Sequence, residues 1–291
     1  MKKPLWIVLA VVSLSVVMFS GIDYLSSAEL DRSKNGVSYT FVERSQYTIH
    51  LVTIPHDSRY LVTPEISGEL QPIQDFIGEN IVAAINGGYF DPVNQKTTSF
   101  VVQRSQIVAD PRFNERLIDN PDLKPYLGKI LNRAEFRRYS CGEETQYDIQ
   151  PHFSPIPPNC TLKESLGGGP SLLPKNTSVT EGFTAYQDGK KIRDAIGSDG
   201  LNARSAVGIT DDGDIILAMV AQQTDLPLDS GISLPELAEV LSSFGATKAM
   251  NLDGGSSTAL YYDGKATYGR VDQEGNEIQR PIKSVLLVTE S

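Results

Sequence analysis

NLDGGSSTAL, residues 251–260, follows a strand-like run and sets an acid, two glycines and two serines on the turn that ends it. A second stretch, INGGYFDP at residues 85–92, repeats the order: an apolar run, a polar residue, then Gly87 and Gly88. The chain has the same plan before each. A short helix predicted at residues 73–77 leads to the apolar strand IVAAI and the Asn-Gly-Gly turn. A helix starting at Leu234 leads to the strand ATKAMNLD and the Asp-Gly-Gly turn. Two such turns at neighbouring strand ends would face one cleft, which is where ligands bind in open α/β sheets.

The second helix is the best specified element. Ser233-Leu234-Pro235-Glu236 has capping-box form, and Pro235 falls in the first turn, where its missing N–H costs little. Leu237, Val240, Leu241 and Phe244 form one apolar stripe, and Gly245 stops the helix. Hairpins are predicted around Asp211-Asp212-Gly213-Asp214 and around Asp263-Gly264, each flanked by β-rich runs. VSYTFVER, YTIHLVTI and RYLVTPEI read as further strands, and PIKSVLLVTE as a closing one. Residues 111–138 read as mainly helical and locally basic, broken by Pro121 and Pro125. The expectation is an α/β chain of the α+β type. A mixed, largely antiparallel sheet flanked by helices forms a single catalytic domain over residues 36–291, with residues 103–166 inserted.

Acids outnumber bases 36 to 26, and the net charge is −10. This excludes a general nucleic-acid binder, which needs a basic face; a local arginine can still bind a small anion. Lys2 and Lys3 precede an uncharged, mainly apolar run at residues 5–19. Residues 1–28 therefore read as a signal peptide, with Ser26 and Ala28 at −3 and −1 of a cut before Glu29, or as a membrane anchor through residues 5–22. Either reading puts the protein outside the cytoplasm: periplasmic, secreted or membrane-anchored. In an exported chain the two cysteines, Cys141 and Cys160, are expected to form a disulfide. It would close a Pro-rich loop with little helix or strand pattern and contribute roughly 3 kcal/mol.

Three glycine clusters and one arginine could carry chemistry. Gly254 and Gly255, with Ser256 and Ser257, could offer amides and hydroxyls to an anion, and Asp253 could act as nucleophile, general base or metal ligand. A capped tight turn is the competing reading. Asn86, Gly87 and Gly88 could hold a sugar hydroxyl or phosphate oxygen and Tyr89 could stack on a sugar, or this too is a turn with core aromatics. Gly168 and Gly169 could add amides, or form a flexible turn. Arg204 in NARSAVG could reach a phosphate with its planar fork; taken alone, a surface or paired arginine explains it as well. The sequence has no Rossmann, Walker A or GxSxG pattern. His50, His56 and His152 lack zinc-ligand spacing, and the Asp211–Asp214 run lacks the glutamate of a calcium loop.

Together the motifs resemble the phosphodiester glycosidase family, that of the uncovering enzyme, whose bacterial members are often labelled exopolysaccharide-related. The matching pieces are NGGYF (86–90), GGGPSLL (167–173), ARSAVG (203–208), NLDGGSST (251–258) and RPIKSVLLV (280–288), in the family's order. Many members have a third glycine where this chain has Ser256. The resemblance implies hydrolysis of a sugar from a glycosyl-1-phosphodiester, releasing free sugar and a phosphate monoester. It carries the site to Asn86, Gly87, Gly88, Arg204, Asp253, Gly254, Gly255 and Ser256. Arg204 and the Gly-Gly amides would stabilise the phosphate, Asp253 would act at the anomeric carbon or on the attacking water, and Asp91 is the nearest second carboxylate. The expected partner is a carbohydrate phosphodiester or anionic glycan. No cofactor is expected, although a divalent cation stays open. Two alternatives remain: a non-catalytic domain binding envelope exopolysaccharide, and a metal-dependent phosphodiesterase using Asp253 and Asp91 as oxygen ligands.

Overall fold

The computed structural model describes residues 30–34, as backbone, and 36–290. The expected export segment and its cut before Glu29 lie outside the described residues. In chain order the strands are β1 (Leu30–Lys34), β2 (Val37–Glu43), β3 (Thr48–Ile54), β4 (Tyr60–Gln71), β5 (Ile81–Asn86), β6 (Val101–Gln103), β7 (Gln106–Ala109), β8 (Ala134–Cys141), β9 (Glu144–Pro151) and β10 (Cys160–Gly167). Then come β11 (Ser171–Leu173), β12 (Thr184–Gln187), β13 (Lys190–Asp194), β14 (Arg204–Thr210), β15 (Ile215–Ala221), β16 (Ala246–Asn251), β17 (Ala259–Tyr262), β18 (Lys265–Tyr268) and β19 (Ile282–Glu290). The α-helices are α1 (Glu115–Ile118), α2 (Leu127–Ile130) and α3 (Leu234–Ser243).

Period-2 alternation builds the layers. A seven-stranded sheet, β1-β2-β3-β15-β14-β16-β11, faces a five-stranded one, β18-β17-β5-β19-β4. On β3, Val52 and Ile54 point into the core between the sheets, while Ile49 and Leu51 point to the outer face. On β15, Leu217 and Met219 point in, and Ile216, Ala218 and Val220 point out. The outer face of the larger sheet is covered by Leu234, Leu237 and Leu241 of α3. That of the smaller sheet is covered by Ile73 and Phe76 of a 3₁₀ turn, Ile73–Phe76. The capping box of α3 forms as read, with Ser233 Oγ and the Glu236 carboxylate each meeting the other's amide. Gly245 follows at φ +89°. Both Asp-Gly hairpins also form, pairing Ile209 with Ile215 and Tyr262 with Lys265.

Three expectations need correction. The chain is β-rich rather than balanced α/β, and every pairing among the described strands is antiparallel rather than mixed. Residues 103–166 are not helix and loop alone: they supply four strands of a third sheet, β7-β6-β10-β8-β9, and the stretch 111–138 holds only short helical turns, two of them four-residue α-helices, before β8 begins. Pro121, which lacks an amide donor, prevents α1 from running on, while Pro125 sits in the first turn of the segment leading into α2, where its missing N–H costs little. The Pro-rich loop contains β9, whose half-exposed alternation resembles a loop in composition. Cys141 and Cys160 are bonded and sit opposite each other across β8 and β10. Among the described residues no helix is long and apolar enough to cross a membrane.

Candidate active site

The two glycine turns do meet, but across the sandwich and not along one sheet. β5 belongs to the smaller sheet and β16 to the larger. Asn86 ends β5 fully buried. Its Nδ2 donates to the Asp253 carbonyl at 2.6 Å, and its Oδ1 accepts from Ser205 Oγ at 2.5 Å and from the Ala259 amide at 3.1 Å. The Asp253 amide donates to the Gly87 carbonyl at 3.0 Å, and the Leu252 amide to the Ser205 carbonyl at 2.8 Å. Buried backbone groups need such partners, and here they lock the Asp253 turn onto both sheets.

Asp253 has protein around it yet keeps part of its surface open to solvent. Burial pushes its carboxyl up from the ordinary 3.8 to about 6, against the opposing pull of the Ser257 hydroxyl, the Arg280 charge and the Gly254 amide. The Gly254 amide donates to the carboxylate at 3.0 Å. Ser257 Oγ stands beside it without full hydrogen-bond geometry. Arg280 donates from Nη1 to Ser256 Oγ at 2.9 Å and lies 5.0 Å over the Phe90 ring. Tyr89 closes another side. Its hydroxyl donates to the Gly169 carbonyl at 2.8 Å and accepts from Asn251 Nδ2 at 2.7 Å. Burial, then the Asp253 charge, keeps that phenol protonated far above its usual range. A carboxyl poised near neutrality in the field of a cation suits proton transfer.

Arg204 is not where the phosphate reading needs it. It is buried, with Nε on the Ile232 carbonyl at 3.3 Å, Nη1 on Ile196 at 3.0 Å, and Nη2 on Gly197 and Gly200 at 2.6 and 3.1 Å. Four of its five N–H groups hold backbone, which makes it the clamp of the 196–200 loop. Four of the glycine amides are likewise spent. Gly87 donates to Ser284, Gly168 to Ala134, Gly169 to Asn251 and Gly255 to Ala203, all carbonyls. These glycines permit close chain approach instead: a Cβ on Gly88 would collide with the Gly167 carbonyl, and one on Gly169, at φ +96°, with the Glu181 carboxylate. Asp91, the expected second carboxylate, is engaged elsewhere. One of its oxygens takes Arg116 Nε and the other the Val93 amide, both at 2.8 Å, which keeps its pKa low against the opposing effect of burial. Among the described residues no three His, Cys, Asp or Glu side chains gather as a metal-binding group.

Sequence reasoning passed over Arg280, although RPIKSVLLV contains it. It also passed over Arg133, which lies against the Tyr89 and Phe183 rings at 5.8 and 3.7 Å. Shape is a poor guide here: a recess of about 280 Å³ between Tyr39, His50 and Tyr262 shares no residue with the site.

The family model described as phosphodiester glycosidase matches residues 79–289, and the chain belongs to that family. No curated protein matches it by sequence. Among the solved structures that share its fold are three of stated origin. The catalytic domain of zebrafish N-acetylglucosamine-1-phosphodiester α-N-acetylglucosaminidase, auto-inhibited by its pro-peptide, is 18% identical with a TM-score of 0.60, over 91% of this chain and 82% of that one. A hypothetical protein of Synechocystis is 17% identical with a TM-score of 0.57, over 91% of this chain; the match spans 64% of that longer protein. A protein of Burkholderia pseudomallei described as exported is 14% identical with a TM-score of 0.56, over 84% and 74%.

Proposed function

We propose that the protein hydrolyses a glycosyl-1-phosphodiester outside the cytoplasm. The observation that carries this reading is the Asp253 turn locked between both sheets, with its carboxyl raised to about 6 by burial and within the field of Arg280, which is held on the same turn by Ser256. Family membership and the shared fold of a phosphodiester glucosaminidase support it, and the Cys141–Cys160 bridge supports an oxidising compartment.

The chemistry asks little more of the site. Asp253 takes a proton from water, whose oxygen bonds to the anomeric carbon. The bond from that carbon to the bridging oxygen breaks, and its electron pair leaves with the phosphate monoester. Such a leaving group needs little protonation, so one carboxylate serves where glycosidases ordinarily use two. Arg280 stabilises the charge that develops on the phosphate. Asn86 and Arg204 act as positioning residues, holding the turn and the adjoining loop. A base acting on water gives inversion at the anomeric carbon.

The test is release of reducing sugar from a panel of sugar-1-phosphodiesters by the purified protein, beside Asp253→Asn. Turnover that the variant loses supports the reading. Binding of anionic glycans by both proteins without turnover would replace it with the envelope-binding one.

A further inference from the structure

Three cations converge on one short loop that the proposed reaction does not use. Lys129 Nζ donates to the Val179 carbonyl at 3.1 Å, Arg133 Nε to Glu181 at 3.3 Å, and Arg193 Nε to Gly182 at 2.8 Å. Consecutive carbonyls thus hold two arginines by their Nε atoms. Among the described residues neither arginine forms an ion pair, and neither fork has a further hydrogen-bond acceptor. The nearby Glu181 carboxylate does not neutralise them by contact. Its oxygens take the amides of Ala134 and Ser171 at 3.0 and 2.8 Å and the Thr177 hydroxyl.

Arg133 is only 7% exposed. Its face lies on Phe183, so its charge is directed along the guanidinium plane. Burial, with a smaller repulsion from Arg193 and against the pull of Tyr89 and Glu181, lowers its pKa to about 10, so it stays charged at neutral pH. Arg193 is backed in the same way by the Tyr126 ring, 4.6 Å away. Glu181 offsets part of the repulsion between the two arginines through space, but it makes no contact with either fork, so the N–H groups of a buried guanidinium stay open to an added anion. In a chain of net charge −10 they stand out as a local attractor for anions.

We propose that Arg133 and Arg193 form a second anion site, which takes a phosphate or carboxylate group on the glycan beside the scissile phosphodiester. The link to substrate rests on the hydrolytic reading above. Continuity comes through Tyr89, whose ring meets both Phe183 and Arg133 and whose hydroxyl is bonded to Asn251, two residues before Asp253. Planar forks with free paired N–H groups fit an oxyanion two bonds at a time. The preferred substrate therefore carries a second negative charge.

Two measurements test this. Calorimetric binding of inorganic phosphate, glucuronate and glucose is compared between the wild type, Arg133→Gln, Arg193→Gln and Asp253→Asn. The site requires that phosphate or glucuronate binds, that glucose does not, and that either glutamine variant weakens the anion at least 10-fold while Asp253→Asn does not. The anion that binds more tightly identifies the group. If Arg133→Gln fails to fold, the less buried Arg193→Gln and the rise in wild-type Tm with phosphate stand in for it. No binding of either anion at 10 mM, or equal affinity in a folded variant, overturns the site. The second measurement is the ratio of kcat/KM for a phosphodiester bearing a uronic acid to that for its neutral analogue, which should fall at least 10-fold in Arg193→Gln. An unchanged ratio with full turnover overturns the site and leaves the hydrolytic reading intact. Arginine-dependent anion binding without any turnover does the reverse.

Discussion

Asn86 and Asp253 are tied side chain to backbone: Asn86 Nδ2 donates to the Asp253 carbonyl at 2.6 Å while its Oδ1 takes Ser205 and Ala259. One amide group, fully buried, thereby joins β5, β14, β17 and the Asp253 turn. Replacing it with alanine leaves a buried hydroxyl, amide and carbonyl without this partner. Asn86→Ala should lose about 2–4 kcal/mol, read as a lowered urea midpoint, together with a fall in kcat larger than any rise in KM. A variant of wild-type stability would show that the tie is not what holds the turn.

Arg204 and Arg280 should separate stability from rate. Arg204→Lys loses the planar fork that spans four carbonyls, and an ammonium cannot reach all of them. A loss of about 2 kcal/mol is expected, with activity falling in step with the order of the 196–200 loop. Arg280 makes one side-chain hydrogen bond, to Ser256. Arg280→Ala should change stability by less than about 1 kcal/mol and lower kcat/KM about 100-fold, the range for removal of one charge-stabilising donor. Thermal melts and initial rates on both variants check the pair. The opposite assignment, a stable but inactive Arg204→Lys, would return the phosphate to Arg204.

The Cys141–Cys160 bridge should matter to stability and not to rate. It links cysteines 19 positions apart, and removing it with two serines should cost about 3 kcal/mol in the chain-entropy account. On the β8–β10 ladder the bridge pairs at one end and Gly167 with Glu135 at the other. Seven residues of strand separate them, about 23 Å. The Cys141→Ser, Cys160→Ser double variant should melt earlier, and the wild type should match it in reductant, with kcat at 25 °C within a factor of two. A large loss of kcat would mean that the third sheet transmits strain to the site.

What the chain order reveals of this fold is local. The α3 capping box and both Asp-Gly hairpins depend on residues within a few positions, and they form where read. Pairings such as Ile215 with Ile54 join segments far apart, and no local pattern specifies them. β9 carries no strand signature of its own, because a half-exposed strand alternates polar and apolar residues as weakly as a loop does. At the site, Asp253 and Asn86 were legible because a polar residue before paired glycines is rare enough to notice. The role of Arg204 was not, since its acceptors come from a loop that only the tertiary fold brings near. Arg280 carried no mark of its own, being one arginine on a polar segment that reaches Ser256 across a turn.

The pH dependence of Asp253 supplies the last prediction. Burial raises its carboxyl from 3.8 to about 6, so ionising it in the folded protein opposes folding. Stability that is fully present below pH 3.8 is therefore lost as pH rises through about 6. Asp253→Asn does not titrate and can still accept from the Gly254 amide. Relative to wild type, its stability should rise between pH 4 and pH 7 and level off above. A raise of two pH units is worth up to about 3 kcal/mol, and partial solvent access reduces that to about 2. Activity runs the other way. A base must be ionised, so wild-type kcat/KM should climb through an apparent pKa of about 6 to a plateau, and the variant should be inactive throughout. In Arg280→Ala the limb should move to higher pH, because the cation that favours the carboxylate is gone. Urea midpoints at pH 4 and pH 8, with a pH–rate profile, test all three. A rate that falls through pH 6 instead would make Asp253 a proton donor to the leaving phosphate. Equal stabilities at pH 8 would show that the carboxylate is solvated well enough to ionise at its ordinary pKa.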